Sequence, residues 1–398
     1  MMSESDFEDE LGDSKTFLGF VDVAISSKEQ PEIEDTFIGG TPIWLHPKSP
    51  PPNELVQCLS CNKPMHLLLQ CYANLADTLY DRVIYIFGCN DPKCRRKKGS
   101  VRAIRAVSKD PAIIAQREKE LQDIQDKKDK AQQKEQQNKQ KLESIANSLF
   151  NTSSSDSQNP FANPFAAESS NPFAKPQQLQ PEKPTYAQIA KPEQKPAPKK
   201  HQDPVDLPSY PGYILYVDQE ILDPKNQSLP PLPKVEEGSS ETAAQPSASN
   251  PSKIPAHDEN ISKIVDDPTF QNFSDIVSYN TAQVLRYDLN GSPLLYSSKD
   301  DVAKLFYDSN GRLRPQHLIP NPPYNPSSER RFELQLMPKA IIDLEADSDD
   351  IINGMEWGTI MVGTDAKDFV PEHLIDENHV GYVEEWCGVQ WEEELKLN

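Results

Sequence analysis

Positive charge, cysteine and long apolar runs are all scarce in this sequence. Its 398 residues carry 41 Lys plus Arg against 62 Asp plus Glu, a net charge of -21, which excludes a polybasic nucleic-acid binder. No stretch approaches the ~18 consecutive apolar residues of a membrane span. The acidic start MMSESDFEDELGDS has neither the basic nor the apolar region of a secretory signal. A soluble, cytoplasmic protein without membrane contact is therefore expected, with passage into the nucleus left open. Six cysteines are too few for a disulfide scaffold. There is no P-loop, no G-x-S-x-G, no G-x-G-x-x-G and no HExxH, and the seven histidines form no paired arrangement. Nothing reads as catalytic, so neither an enzyme nor a small-molecule substrate is expected.

Proline, by contrast, is plentiful, with 37 residues beside an apolar content of 36%, a composition that does not pack throughout. It divides the chain. Residues 1–14 read as an acidic disordered tail, and 15–106 as a β-rich half in which Gly39-Gly40-Thr41-Pro42 turns the chain into Ile43-Trp44-Leu45. Arg82-Val83-Ile84-Tyr85-Ile86-Phe87 is a β-prone run. Residues 107–150 are rich in Lys, Glu and Gln and read as a charged helix. Its apolar positions are too sparse for a core-facing stripe, and no heptad seam crosses Lys127–Lys141. Residues 151–261 read as a disordered Pro/Ser/Gln-rich insert with one strand near 207–223, and 262–398 as a second β-rich half. Residues 261–398 hold 25 acidic and 11 basic residues, a balance of -14. A surface so charged attracts basic partners and repels phosphate. The expected fold class is α+β, β-dominated: a split body of two β-rich halves, interrupted by the helix and the insert.

Cys58-Leu59-Ser60-Cys61 and Cys89-Asn90-Asp91-Pro92-Lys93-Cys94 form the strongest chemical signal. Two short-spaced pairs on separate turns offer four thiolates to one tetrahedral Zn2+, and four protein ligands leave no position for substrate, so one structural zinc stapling the N-terminal half is predicted. Cys71 reads as a small core residue, with Cys71 or His66 as substitute ligands left open. Directly after the second pair comes the one dense basic run, Arg95-Arg96-Lys97-Lys98, followed by Arg102 and Arg105. It reads as an RNA or nuclear-import patch, or as the solvated rim of the metal loop, without the interleaved aromatics of a stacking surface. Three Asn-Pro-Phe tripeptides ending at Phe161, Phe165 and Phe173 are similar to ligands of endocytic EH domains, although such tripeptides recur easily in low-complexity sequence.

An ordered set of short motifs resembles the programmed cell death protein 2 family, which includes the fungal twenty-S rRNA accumulation proteins. In the first half these are Leu18-Gly19-Phe20, Gly39–Leu45, the two cysteine pairs, and Leu68-Leu69-Gln70-Cys71-Tyr72-Ala73. In the second they are Gln283-Val284-Leu285-Arg286-Tyr287, Arg331-Phe332-Glu333-Leu334-Gln335-Leu336-Met337-Pro338, Glu356-Trp357-Gly358-Thr359 and Tyr382-Val383-Glu384-Glu385. Two family features are missing: residues 106–260 contain no cysteine and so no MYND finger, and Asn325–Glu329 lacks the cysteine pair seen before the Arg-x-Phe-Glu motif in other members. The resemblance implies a dedicated chaperone of a basic small-subunit ribosomal protein, eukaryotic small-subunit protein two of the universal S-five family. It would capture that client during or soon after translation, serving 40S assembly and 20S pre-rRNA maturation. Transient contact with pre-40S particles would follow. Glu356, Trp357, Glu384 and Glu385, which sit in its motifs, read either as client contacts or as fold determinants. Two other readings stand beside it: an RNA-binding assembly factor using the basic patch, and an endocytic adaptor using the Asn-Pro-Phe tripeptides.

Overall fold

The computed structural model of the chain describes residues 15–76, 78–150, 205–222, 267–308, 310–348 and 353–392. The expected tail at 1–14, most of the insert and all three Asn-Pro-Phe tripeptides lie outside them. The chain divides into two units, residues 1–114 with 201–398, and residues 115–200.

The first unit is a closed barrel of ten antiparallel strands. They are β1 (Phe17–Ala24), β2 (Phe37–Ile38), β3 (His66–Tyr72), β4 (Asp81–Gly88), β5 (Val101–Ser108), β6 (Tyr213–Gln219), β7 (Gln283–Tyr287), β8 (Arg330–Leu336), β9 (Trp357–Asp365) and β10 (Val380–Trp391). Around the barrel the order is β1-β6-β2-β3-β4-β5-β10-β9-β8-β7, and β7 returns to β1. Where the sequence predicts two β-rich halves, strands from both close a single sheet. β10 pairs with β5 from Val380↔Ser108 to Glu385↔Ala103, and β6 is inserted between β1 and β2.

Val83–Phe87 shows why the β-prone run has no polar alternation: β4 is buried on both faces. Its even positions Ile84 and Ile86 join a core drawn from β2 to β9, including Leu69, Leu215, Leu285, Leu334, Leu336, Trp357, Ile360 and Val362. Residues contributed from all round the sheet fill the lumen, so the barrel is packed rather than hollow. The odd positions Val83, Tyr85 and Phe87 join a second core with Val56, Met65, Leu67, Ile104 and Tyr382. Ile43-Trp44-Leu45 is loop rather than strand. It covers that second core, with the Trp44 ring 5.2 Å from Tyr85 and the Ile43 carbonyl accepting from the Tyr85 hydroxyl at 2.7 Å.

Helix α1 spans Pro111–Phe150. The change from strand to helix falls at Pro111, not at 107, because Val107 and Ser108 still pair with β10. Asp110 then caps the helix by accepting from the Ala112 amide at 2.8 Å, with proline at the first helical position. Leu121, Ile124 and Leu142 are exposed, consistent with a sequence that carries no apolar stripe. The other helices among the described residues are short: α2 (Pro268–Ser278), α3 (Ala303–Phe306) and α4 (Lys339–Leu344).

Candidate metal centre

The two cysteine pairs lie on loops at one end of the barrel, the first leading into β3 and the second joining β4 to β5. In the first, the Asn62 amide donates to the Cys58 carbonyl at 2.8 Å and Asn62 takes a left-handed conformation at φ 56, which asparagine tolerates better than most residues. The chain thereby folds back so that the Cys58 amide donates to the Lys63 carbonyl at 3.0 Å. In the second, Pro92–Cys94 forms a short 3-10 helix capped by Asp91, whose carboxylate accepts from the Lys93 amide. The wider spacing of this pair accommodates that helical turn. The Leu59 amide donates to the Gly99 carbonyl at 3.1 Å, and Lys63 reaches Asp91 at 3.2 Å, tying the two loops together.

The result is one cluster: the sulfurs of Cys58, Cys61, Cys89 and Cys94 all lie within 4.8 Å of one another, and Cys61 Sγ is 3.7 Å from Cys89 Sγ. Zn–S bonds of ~2.3 Å in a tetrahedron set sulfurs about 3.8 Å apart, so the four residues could hold a metal ion and suit zinc. Burial raises the Cys89 and Cys94 thiols. Cys61 is lowered because the Lys63 amide and the neighbouring thiols outweigh its burial. A cation would convert the whole crowded set to thiolates. Cys71 is not in the cluster. It lies in the lumen core, five positions along β3 from His66, and burial pushes its thiol up to about 12. His66 packs against Tyr210 with ring centroids 4.6 Å apart and is also outside the sulfur cluster.

The basic run separates into two populations. Arg95 pairs with Glu356 at 2.9 Å, and Arg96 reaches the same carboxylate at 3.8 Å while lying over the Trp391 ring. Lys97 and Lys98 are exposed. Arg102 and Arg105, grouped with the patch in the sequence, do not extend it: they are 4% and 0% exposed because β5 is buried on both faces. Arg102 holds Glu384 at 2.7 Å. Of the four motif residues read as client contacts, Glu356 and Glu384 remain at the surface, whereas Trp357 and Glu385 are 1% and 4% exposed. Trp357 is part of the lumen core.

Glu385 belongs to a cluster that sequence reasoning missed, toward the opposite end of the barrel. Its carboxylate accepts from Arg105 at 2.8 Å, Arg330 at 3.1 Å and the Tyr324 hydroxyl at 2.7 Å. Arg82 binds Glu333 through both terminal nitrogens and Asp368 through Nε at 2.7 Å. Arg105 also reaches Asp368 at 2.9 Å. Three guanidinium groups thus meet three carboxylates, so each of these buried charges has an opposite partner. Burial works to raise Glu333 and Asp368, but the arginines hold both below the usual carboxylate range. The available signal was an arginine within each of two otherwise apolar runs, RVIYIF with Arg82 and AIRAV with Arg105, where a solvated face is not expected.

Comparison with known proteins gives the family. Residues 15–112 match the family model described as "Programmed cell death protein 2, N-terminal domain" and 267–391 the one described as "Programmed cell death protein 2, C-terminal putative domain". A Schizosaccharomyces pombe protein named "Probable 20S rRNA accumulation protein 4" is 30% identical over 406 aligned positions, covering 95% of this chain and 98% of that one. The chain belongs to the programmed cell death protein 2 family. The "Programmed cell death protein 2" of Bos taurus is 38% identical over 80 residues, 19% of this family member and 23% of the bovine chain. No solved structure matches. The matched N-terminal region contains all four clustered cysteines, and the two matched regions contribute every strand except β6.

Proposed function

We propose that this protein is a non-enzymatic escort of a basic small-subunit ribosomal protein, eukaryotic small-subunit protein two of the universal S-five family. It takes up its client in the cytoplasm during or soon after translation and serves 40S assembly and 20S pre-rRNA maturation. The observation that carries the reading is the likeness to the fission-yeast protein along nearly the whole of both chains, whose name places that protein in 20S rRNA accumulation. Charge supports the choice of client. Residues 261–398 balance at -14, and a free ribosomal protein is a polycation that aggregates with nucleic acid unless its charge is covered. One structural zinc held by Cys58, Cys61, Cys89 and Cys94 keeps the N-terminal loops in place and takes no part in chemistry.

Direct RNA binding through the basic run has less support, since Arg95 and Arg96 face Glu356 and Arg102 and Arg105 are interior. The test is affinity purification of the full chain from nuclease-treated lysate, scored by mass spectrometry. The expected result is one basic small-subunit ribosomal protein at near-equal amount. Loss of every partner on nuclease treatment would replace the escort reading with RNA binding.

A further inference from the structure

The barrel closes, but not along the whole length of β6. β1 pairs with β6 from Phe17↔Gln219 to Ala24↔Tyr213. On the other side β2 covers only Tyr213 and Ile214, followed by one more hydrogen bond from the Leu215 amide to the Thr36 carbonyl at 2.8 Å. The chain does not continue alongside β6. A turn intervenes, in which the Asp35 amide donates to the Glu32 carbonyl at 3.2 Å and the Glu32 amide to the Asp35 carboxylate at 2.7 Å. From Tyr216 onward, no strand among the described residues flanks that side of β6. Because Leu215 directs its amide toward β2, Val217, two residues on, directs its own to the same, uncovered side.

This edge is held rigid at both ends. β2 fixes the start, and Glu220 fixes the finish through Arg286 at 2.7 Å and through its amide to the Thr16 carbonyl at 2.9 Å. Tyr216 and Val217 are each 50% exposed, with the Tyr216 ring stacked on Phe20 at 5.1 Å. Residues 17–24, 32–38 and 213–219 carry Asp22, Glu32, Glu34, Asp35 and Asp218 and no lysine or arginine. An uncovered strand edge invites another strand, and the surrounding charge selects a basic one.

We propose that the open edge of β6 receives an extended basic segment of the client by strand addition, main chain to main chain, with alternate side chains on the Tyr216–Phe20 face and among the carboxylates. This deepens the escort reading and rests on it for the client's identity. Such docking protects a basic, unstructured segment before its host has folded, and releases it when rRNA competes for the same positive charge.

The test uses the full chain and a synthetic peptide of alternating arginine and valine, with alternating glutamate and valine as control. Val217→Pro removes the outward amide without touching the ladder to β1, a substitution that edge strands tolerate. A second variant, Glu34→Lys with Asp218→Lys, reverses the charge and leaves every backbone donor in place. Only the basic peptide should bind, it should slow hydrogen exchange at the Val217 amide, and each variant should weaken it about tenfold, with a parallel fall in co-purified client. Equal binding by both variants overturns the proposal. So does a Val217 amide already protected in the free protein, which would mean that another part of the same chain covers the edge. If wild-type protein retains no basic ribosomal protein, the escort reading falls while peptide binding still decides the edge. If it retains the client and both variants do so equally, the edge falls and the escort reading stands.

Discussion

Arg82 of β4 and Glu333 of β8 lie side by side inside the barrel, joined by two hydrogen bonds of 2.5 and 2.7 Å, with both side chains at zero exposure. They stand 251 positions apart in sequence. Arg105 and Glu385 repeat the relationship on β5 and β10. Each buried arginine of the first half therefore ends on carboxylates supplied by the second. Neither half can bury its charges alone, because an unpaired interior ion costs several kcal/mol.

Removing one member of that pair should be far more damaging than removing both. Glu333→Gln leaves Arg82 with Asp368 alone and is expected to cost ~3–5 kcal/mol in urea unfolding. Arg82→Met combined with Glu333→Leu should recover most of the loss. A double variant as unstable as the single one would mean that the pair is not the source of the cost.

Acid should weaken the fold through the same cluster. Glu333 and Asp368 have folded pKa values lowered from ordinary values of 4.5 and 3.8. Their contribution is fully present above those unfolded values and is lost as pH falls through the lower folded ones. Asp300, half-buried and raised by burial, acts in the opposite sense. The urea midpoint is expected to hold down to about pH 5 and then drop. A midpoint that rises on acidification would show that raised carboxylates such as Asp300 dominate.

Metal analysis of the purified chain should return one zinc per molecule. Cys58→Ser or Cys89→Ser should lose both the metal and soluble folded protein, since a structural site couples binding to folding. Cys71→Ser and His66→Gln should keep full metal content, their side chains lying outside the sulfur cluster. A soluble, folded, zinc-free Cys58→Ser variant would remove the structural assignment.

Client capture should be fast at low ionic strength and slow steeply with added salt, because complementary charge steers encounter over roughly a Debye length, ~10 Å at 0.1 M. Stopped-flow association across a salt series measures this directly. A rate indifferent to salt would leave the -14 balance of residues 261–398 without a role in capture.

Lys97→Glu with Lys98→Glu should leave client recovery unchanged. Among the described residues, no carboxylate holds these two exposed lysines in the way Glu356 holds Arg95 and Arg96. Loss of rRNA crosslinking in this variant, with the client still bound, would bring the RNA-binding reading back.

The cysteine cluster was legible because metal ligation imposes a local spacing, and each pair sits on its own turn. Strand β4 was legible because bulky, β-branched residues gather wherever a sheet is buried on both faces. Closure of the barrel was not legible. It depends on pairings such as Val380↔Ser108 and Phe37↔Ile214, and nothing local in either partner names the other. The interior ion cluster was hidden for a related reason: Arg105 looks like the tail of a basic patch until β10 supplies Glu385. Trp357 in a motif reads equally as contact or core, and only the packing places it in the lumen.

The placement of β10 sets a timetable. β5 ends at Ser108, yet its outer neighbour begins at Val380, so during synthesis one margin of the first five strands stays bare until the chain has grown past Val380. Arg82 and Arg105 wait over the same interval for their counter-charges, and pairing over so long a separation is slow. A protein proposed to guard another chain at the ribosome thus emerges with an unfinished wall of its own, and any stop codon before β10 leaves a sticky margin in place of a barrel.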